Sequence, residues 1–273
     1  MSDDKNKDYI LGVNEFELER LGFQHSVWKG VSDALFDRIN VQKGWKALDA
    51  GSGPGFVSID LLERVGSEGE VTALEPSEMY LDHFKLECEK HARNNVKFIN
   101  GTAENTALPE NYFDLIYSRW VIGFVPDPDL FVAKLAKSLK PGGIIAIEDY
   151  AFDRLFLFPK TERYAKASPA AMEFWKSEGG DLCIAPRIPA IYKKHGIKLT
   201  EFHPNCIAGG PDSGIFEWHN RFLTHHVPIM VEKGLMSNED GDAALNDWQE
   251  HLNNPESVFF SPLVVDVVGK KNN

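Results

Sequence analysis

The stretch Leu48-Asp49-Ala50-Gly51-Ser52-Gly53-Pro54-Gly55-Phe56 holds the residue types most able to do chemistry in this chain. Three alternate glycines let a backbone turn tightly and approach a ligand closely, and amides near a following helix start would point into the crevice. Asp49 stands where a strand would end, and a carboxylate there repels a pyrophosphate but suits a ligand with an ammonium group. The dinucleotide fingerprint GxGxxG asks for glycine or alanine at position 56, where this chain has Phe56, and the Walker ending Gly-Lys-Ser/Thr is missing. Glu75 follows Gly55 by 20 residues. At that spacing an acidic side chain can take both hydroxyls of a ribose. Candidate proton acceptors are His225 and His226, Asp149 and Tyr150, and His25 near the N-terminus; for each, a structural role competes with the catalytic one. His219 and His226 lie seven apart and would share a helix face, which raises a metal site, but metal ligation wants more ligands at defined spacing and no HExxH is present.

These residues need elements to hold them. Trp45 to Ala50 is a short apolar run stopped by glycines, and Phe56 to Val65 resumes at helical spacing, which predicts strand, tight loop, helix. The pattern repeats as a strand over 70–74, a helix over 77–91 with Ser77 as N-cap, and a strand over 96–100. A fourth strand is predicted over 112–118, then a helix over 130–139 that stops before Pro141-Gly142-Gly143, and a fifth strand over 144–149. Strands alternating with helices in this rhythm mean parallel βαβ units, so the expected fold class is α/β, a doubly wound, mainly parallel sheet. Such sheets bind ligands at the carboxyl ends of their strands.

Ahead of this core, Glu15 to Ile39 carries Phe16, Leu21, Val27, Val31, Leu35 and Phe36 at roughly helical intervals, predicting one or two amphipathic helices. Beyond it, residues 151–187 read as an aromatic-rich helical insertion. A helix over 188–195, a strand over 198–207, helices over 218–233 and 239–252 and a final strand over 258–268 complete the pattern. No repeat, Pro/Ser-rich linker or low-complexity tract divides the chain. The expected organisation is a leader and helical cap over 1–40 and a main domain over 41–273, with helical insertions at about 151–187 and 210–254.

The 273 residues include 29 Lys+Arg against 41 Asp+Glu, a formal charge of −12, with 43% hydrophobic residues. That is apolar enough for a substantial core, and the negative balance weighs against a nucleic-acid partner. Lys134, Lys137 and Lys140, and Lys193, Lys194 and Lys198, read as solvated faces. Cys88, Cys183 and Cys206 have neither a pairing pattern nor zinc-ligand spacing, which suits a reducing compartment. The polar opening Met1 to Asp8 lacks the apolar stretch of a signal peptide, and no run nears the roughly 20 apolar residues of a spanning helix. A cytoplasmic protein without a membrane partner is expected.

The glycine motif, Glu75, the segment Gly101-Thr102-Ala103-Glu104, the run Leu108 to Asp114 and the Pro141-Gly142-Gly143 turn together resemble the class I S-adenosylmethionine-dependent methyltransferases, in the broad group related to the quinone-biosynthesis methyltransferases. The resemblance covers positions 45 to 150 with specific motifs and the rest in general outline. It implies a seven-stranded Rossmann-like sheet with an antiparallel last strand, and S-adenosylmethionine as cofactor. It also implies that Gly51, Ser52 and Gly53 line the methionine part of the cofactor with Asp49 near its amino group. Glu75 would hold the ribose hydroxyls, Met79 would pack on the adenine, and Thr102, Ala103 and Glu104 would flank the ring. Ser118-Arg119-Trp120 would run along the methionine moiety. Many relatives carry an aspartate where Thr102 stands, so Glu104 or the Ala103 amide would have to substitute for its contact.

Methyl transfer from a sulfonium is an in-line displacement with a good leaving group, so positioning and water exclusion can supply much of the rate and a catalytic base is optional. A small methyl acceptor is expected. Trp28, Phe152, Phe156, Trp175, Phe216, Trp218 and Phe222 are candidate walls for a partly apolar one, with core packing as the competing role. Two other readings stay open from the residues: a nicotinamide-dependent dehydrogenase on the same type of sheet, and a cofactor-binding protein without turnover.

Overall fold

The computed structural model describes residues 15–152 and 156–273, with side chains from residue 17 onward; the polar leader and the Phe16 side chain lie outside the described residues. The described residues form two compact units, one of residues 15–119, 130–146 and 270–273 and one of residues 120–129, 147–152 and 156–269.

The first unit opens with helix α1 (Glu15–Arg38), a single 24-residue helix. Trp28, Ser32, Leu35 and Phe36 are fully buried, and their spacing of four, three and one places them along one helix face. Strand β1 (Lys46–Ala50) leads through the glycine loop into helix α2 (Phe56–Val65). Strand β2 (Glu70–Glu75), helix α3 (Glu78–Lys90) and strand β3 (Val96–Asn100) follow. Ser77 caps α3, its Oγ accepting from Tyr80 N at 3.3 Å, as its residue type predicts. Strand β4 (Phe113–Arg119), helix α4 (Pro128–Ser138) and strand β5 (Leu139–Tyr150) come next.

β5 begins five residues before the predicted start and runs through Pro141-Gly142-Gly143, with Gly142 absorbing the irregularity at φ 73°. The proline and glycines therefore bend an extended segment.

The second unit adds strand β6 (Phe156–Phe158), helices α5 (Glu162–Ala165) and α6 (Ala167–Ser177), a 3₁₀ turn at Ala185–Arg187 and helix α7 (Ile188–Lys194). Strands β7 (Ile197–Asn205) and β8 (Ala208–Gly209), helices α8 (Gly214–Glu232) and α9 (Asn238–Leu252), and strands β9 (Val258–Phe260) and β10 (Val264–Lys271) complete the chain. The seven-stranded sheet has the order β3-β2-β1-β4-β5-β10-β7. It is mostly parallel with β10 antiparallel, as the resemblance implied. β1 pairs in parallel with both β2 and β4, setting Asp49 opposite Ala73 and Tyr117, and β2 pairs with β3 with Glu75 opposite Asn100.

Two departures from the predicted elements come from long-range pairing. Residues 258–268 form two strands, because Pro262 has no amide for a ladder and Ser261 N turns to Ile207 O at 2.8 Å. The first of them, β9, pairs antiparallel with β6 and β8 in a small three-stranded sheet, so the insertion expected to be helical also contains a strand.

Candidate functional site

The glycine loop is shaped by backbone conformations that only glycine takes easily: Gly51, Gly53 and Gly55 have φ of 80°, 54° and 86°. A Cβ on Gly55 would come within 2.2 Å of the Phe84 ring, whereas one on Gly53 would meet nothing within 4 Å. The loop is thus wedged against α3 at one glycine and open at another.

The amides of the loop itself turn inward. Gly51 N and Ser52 N donate to Leu74 O at 2.8 and 3.1 Å, and Gly55 N donates to Ser52 O at 3.0 Å. Gly53 N donates to Glu75 Oε2 at 2.9 Å, and Pro54 has no N–H to offer. Backbone donors must find partners when buried, and here the end of β2 supplies them. Residues 51–55 therefore keep no amide for a phosphate.

Glu75 is fully buried, and its other oxygen, Oε1, accepts from Ser77 N at 2.9 Å. One carboxylate thus ties the glycine loop to the start of α3. Met79, one turn into α3, is 40% exposed. The segment after β3 is clipped to the same corner: Gly101 N donates to Glu75 O at 3.1 Å, and Asn100 Nδ2 donates to Pro76 O at 2.9 Å. Thr102 O accepts from Asn105 N and Thr106 N in a turn, Ala103 is buried, and a buried oxygen of Glu104, Oε1, has no hydrogen-bond partner.

At the opposite side of the loop, Asp49 is buried and accepts from Ser58 Oγ at 2.5 Å. Burial pushes its carboxyl up to about 6, against the pull of the Ser58 hydroxyl and the Arg119 charge and with a further push from Asp60. Ser118 Oγ donates to Ala50 O at 2.8 Å, fastening the end of β4 beside β1. Arg119, the next residue, donates from Nη1 to Ser32 Oγ at 2.9 Å, and its Nη2 lies 3.2 Å from His25 Nδ1. Sequence spacing gave no sign of this link, since His25 and Arg119 are 94 residues apart. The first unit therefore gathers Asp49, Gly51, Ser52, Gly53, Glu75 and Arg119 around one loop, with Met79 and residues 102–104 at the neighbouring strand ends.

The candidate bases differ in setting. His25 is engaged on both ring nitrogens, its Nε2 being 3.3 Å from Asp60 Oδ2. His226 is buried with Nδ1 2.9 Å from Phe222 O. Tyr150 stacks on Trp120 with ring centroids 5.7 Å apart. Asp149, buried in the second unit, accepts from Tyr150 N at 2.8 Å and Gly123 N at 3.4 Å. Burial pushes its carboxyl up to about 7, opposed by the amides of Tyr150, Gly123 and Val121 and aided by the Asp181 charge. His219 is buried beside the Tyr164 hydroxyl, 2.5 Å from Nε2. Among the described residues no group of three or more His, Cys, Asp or Glu could hold a metal ion. Trp28, Phe152 and Phe216 are core residues, the competing role foreseen for them, while Phe156 is 42% exposed. The three cysteines form no disulfide, and no described helix is long and apolar enough to cross a membrane.

Residues 48–147 match a protein family described as a methyltransferase domain. The demethylmenaquinone methyltransferase of Staphylococcus epidermidis is 34% identical over 135 residues, 50% of this chain and 54% of that protein. The enzyme of the same name from Bacillus licheniformis is 25% identical over 212 residues, 73% of this chain and 87% of its own. The chain spans about half the length of the first of these relatives. Among solved structures, phosphoethanolamine N-methyltransferase 2 of Haemonchus contortus, in complex with S-adenosyl-L-methionine, shares the fold at a TM-score of 0.55 and 18% identity, covering 97% of this chain and 55% of its own. Residues 48–147 thus resemble a methyltransferase domain, and the seven-stranded sheet has the Rossmann-like fold of solved methyltransferase structures.

Proposed function

We propose that this protein transfers a methyl group from S-adenosylmethionine to a small-molecule acceptor. The observation that carries the reading is the charge pattern around a glycine loop without spare donors: Asp49 and Arg119 flank it on one side and Glu75 closes it on the other. This arrangement disfavours a pyrophosphate and suits a ligand with an amino-acid head, a ribose diol and a purine. Asp49 would take the ammonium, Gly51, Ser52 and Gly53 the methionine backbone, and Glu75 the diol. Met79 would cover one face of the adenine, with Thr102, Ala103 and Glu104 along its edge. The open space before Gly53 fits such a ligand. Helix α1 would act as the cap of a domain that begins near residue 41.

When bound, the cofactor supplies an electrophilic methyl group on a positively charged sulfur. The protein's part is to hold that group in line with the acceptor atom and keep water away, which can contribute as much as about 7–11 kcal/mol. The similar enzymes named for demethylmenaquinone support a partly apolar acceptor, and cysteines that form no disulfide fit a cytoplasmic setting. Calorimetry with S-adenosylhomocysteine and with NAD, followed by mass spectrometry of the protein incubated with S-adenosylmethionine and a panel of quinols, phenols and amines, tests the reading. Binding of the first ligand and an acceptor heavier by one methylene unit are expected. Binding of NAD alone would overturn it, and cofactor binding without methylation of any acceptor would favour a non-catalytic protein.

A further inference from the structure

We propose that His25 is a positioning residue that holds Arg119 against the carboxylate of the bound amino-acid moiety, so that helix α1 forms part of the recognition of that end of the cofactor. The inference rests on the cofactor reading above and adds to it a residue outside the glycine motif. Arg119 is a donor only, so His25 Nδ1 must accept from Nη2 across their 3.2 Å separation. The ring proton then sits on Nε2, which lies 3.3 Å from Asp60 Oδ2. Asp60 is itself anchored by Lys29 Nζ at 2.5 Å, and the His25 ring stacks on Phe56 with centroids 5.7 Å apart and planes 17° from parallel.

The imidazole, carried by α1, is therefore fixed by Asp60 and Phe56 of α2, and it presents one lone pair to the guanidinium. Ser32 Oγ takes Nη1 at 2.9 Å, which completes a fork of two acceptors from α1. The two lie seven residues apart along the helix and grip the same planar cation. The held guanidinium acts electrostatically on Asp49. A cation and an anion set together on one side of the glycine loop match the two charges of an α-amino acid, and Arg is suited to planar carboxylates. A nucleoside without the amino-acid end would gain nothing from either.

The test is calorimetric binding of two probes, S-adenosylhomocysteine and 5′-methylthioadenosine, which lacks the amino-acid end, to the full chain and to His25→Ala, His25→Gln and Arg119→Lys. The wild-type protein is expected to bind S-adenosylhomocysteine more tightly. His25→Ala should weaken that ligand about 10-fold, the scale of one charge-assisted contact, and change 5′-methylthioadenosine less than about twofold. His25→Gln offers an oxygen to Arg119 and an amide N–H to Asp60 and should recover most of the loss, whereas Arg119→Lys should behave like His25→Ala. Equal weakening of both probes, or none of either, overturns the positioning role while leaving the cofactor reading in place. Failure of the wild-type protein to bind either probe overturns the cofactor reading, and the positioning role with it.

Discussion

Cofactor binding should be linked to protonation of Asp49. Its carboxyl is held at about 6 because it is buried, and the Ser58 and Arg119 contacts only partly offset that burial. An ammonium group placed beside it would favour the ionised form and lower that value. At pH 7 roughly nine-tenths of the free protein already carries the ionised group, while at pH 5 only about one-tenth does. If Asp49 stays ionised in the complex, affinity for S-adenosylhomocysteine falls about 10-fold from pH 7 to pH 5. Binding at pH 6 should release about half a proton per ligand. Titration calorimetry across this range, repeated in two buffers of different ionisation enthalpy, measures both quantities. Asp49→Asn should bind weakly and lose the release attributed to this group. An affinity that is flat from pH 7 to pH 5, or proton uptake at pH 6, would refute the assignment of Asp49 to the ammonium.

The same displaced carboxyl acts on folding with the opposite consequence for the variant. A group whose value rises from 3.8 to about 6 on folding loses stability as pH climbs through that window, so Asp49→Asn should be more stable by up to about 3 kcal/mol at pH 8, read from urea denaturation. His219 is lowered by burial to about 3, so stability should drop as pH falls below about 6.5, by about 1.4 kcal/mol per unit; His219→Gln should flatten that slope, and an unchanged slope contradicts the argument. Gly55→Ala combines a left-handed backbone with a Cβ inside the Phe84 ring and should lose about 2–4 kcal/mol, with a loss under about 0.5 kcal/mol counting against the wedge. Ser77→Ala removes the α3 cap and should reduce stability by about 1 kcal/mol in thermal melts.

The elements near the glycine motif were legible where local chemistry sets their ends. Gly55 and the spacing of Phe56 to Val65 predict α2 at the bounds observed, and the apolar run 96–100 does the same for β3. Ends set by distant partners were not. β6 has only three residues and exists through its pairing with β9, about 100 residues later. The break at Pro262 depends on whether a ladder partner is present on that side. Within the site, the motif located the loop but not the direction of its amides, which is decided by Leu74 O and Glu75. The aromatic residues show the same limit: composition cannot distinguish Phe216, stacked on Trp248 at 4.4 Å in the core, from Phe156, half in solvent.

Cells keep adenine nucleotides and their phosphorylated relatives in abundance, and each shares the purine and ribose of the proposed cofactor. A loop with free amides would collect those phosphates and be blocked by them. Between Gly51 and Gly55 every N–H is already committed to β2, to Glu75 or to the loop itself, and the one remaining position is proline. A competing phosphate would have to break a bond inside the fold to gain one outside it. On the proposed cofactor reading, the inward-turned loop thus offers such phosphates no donor of its own.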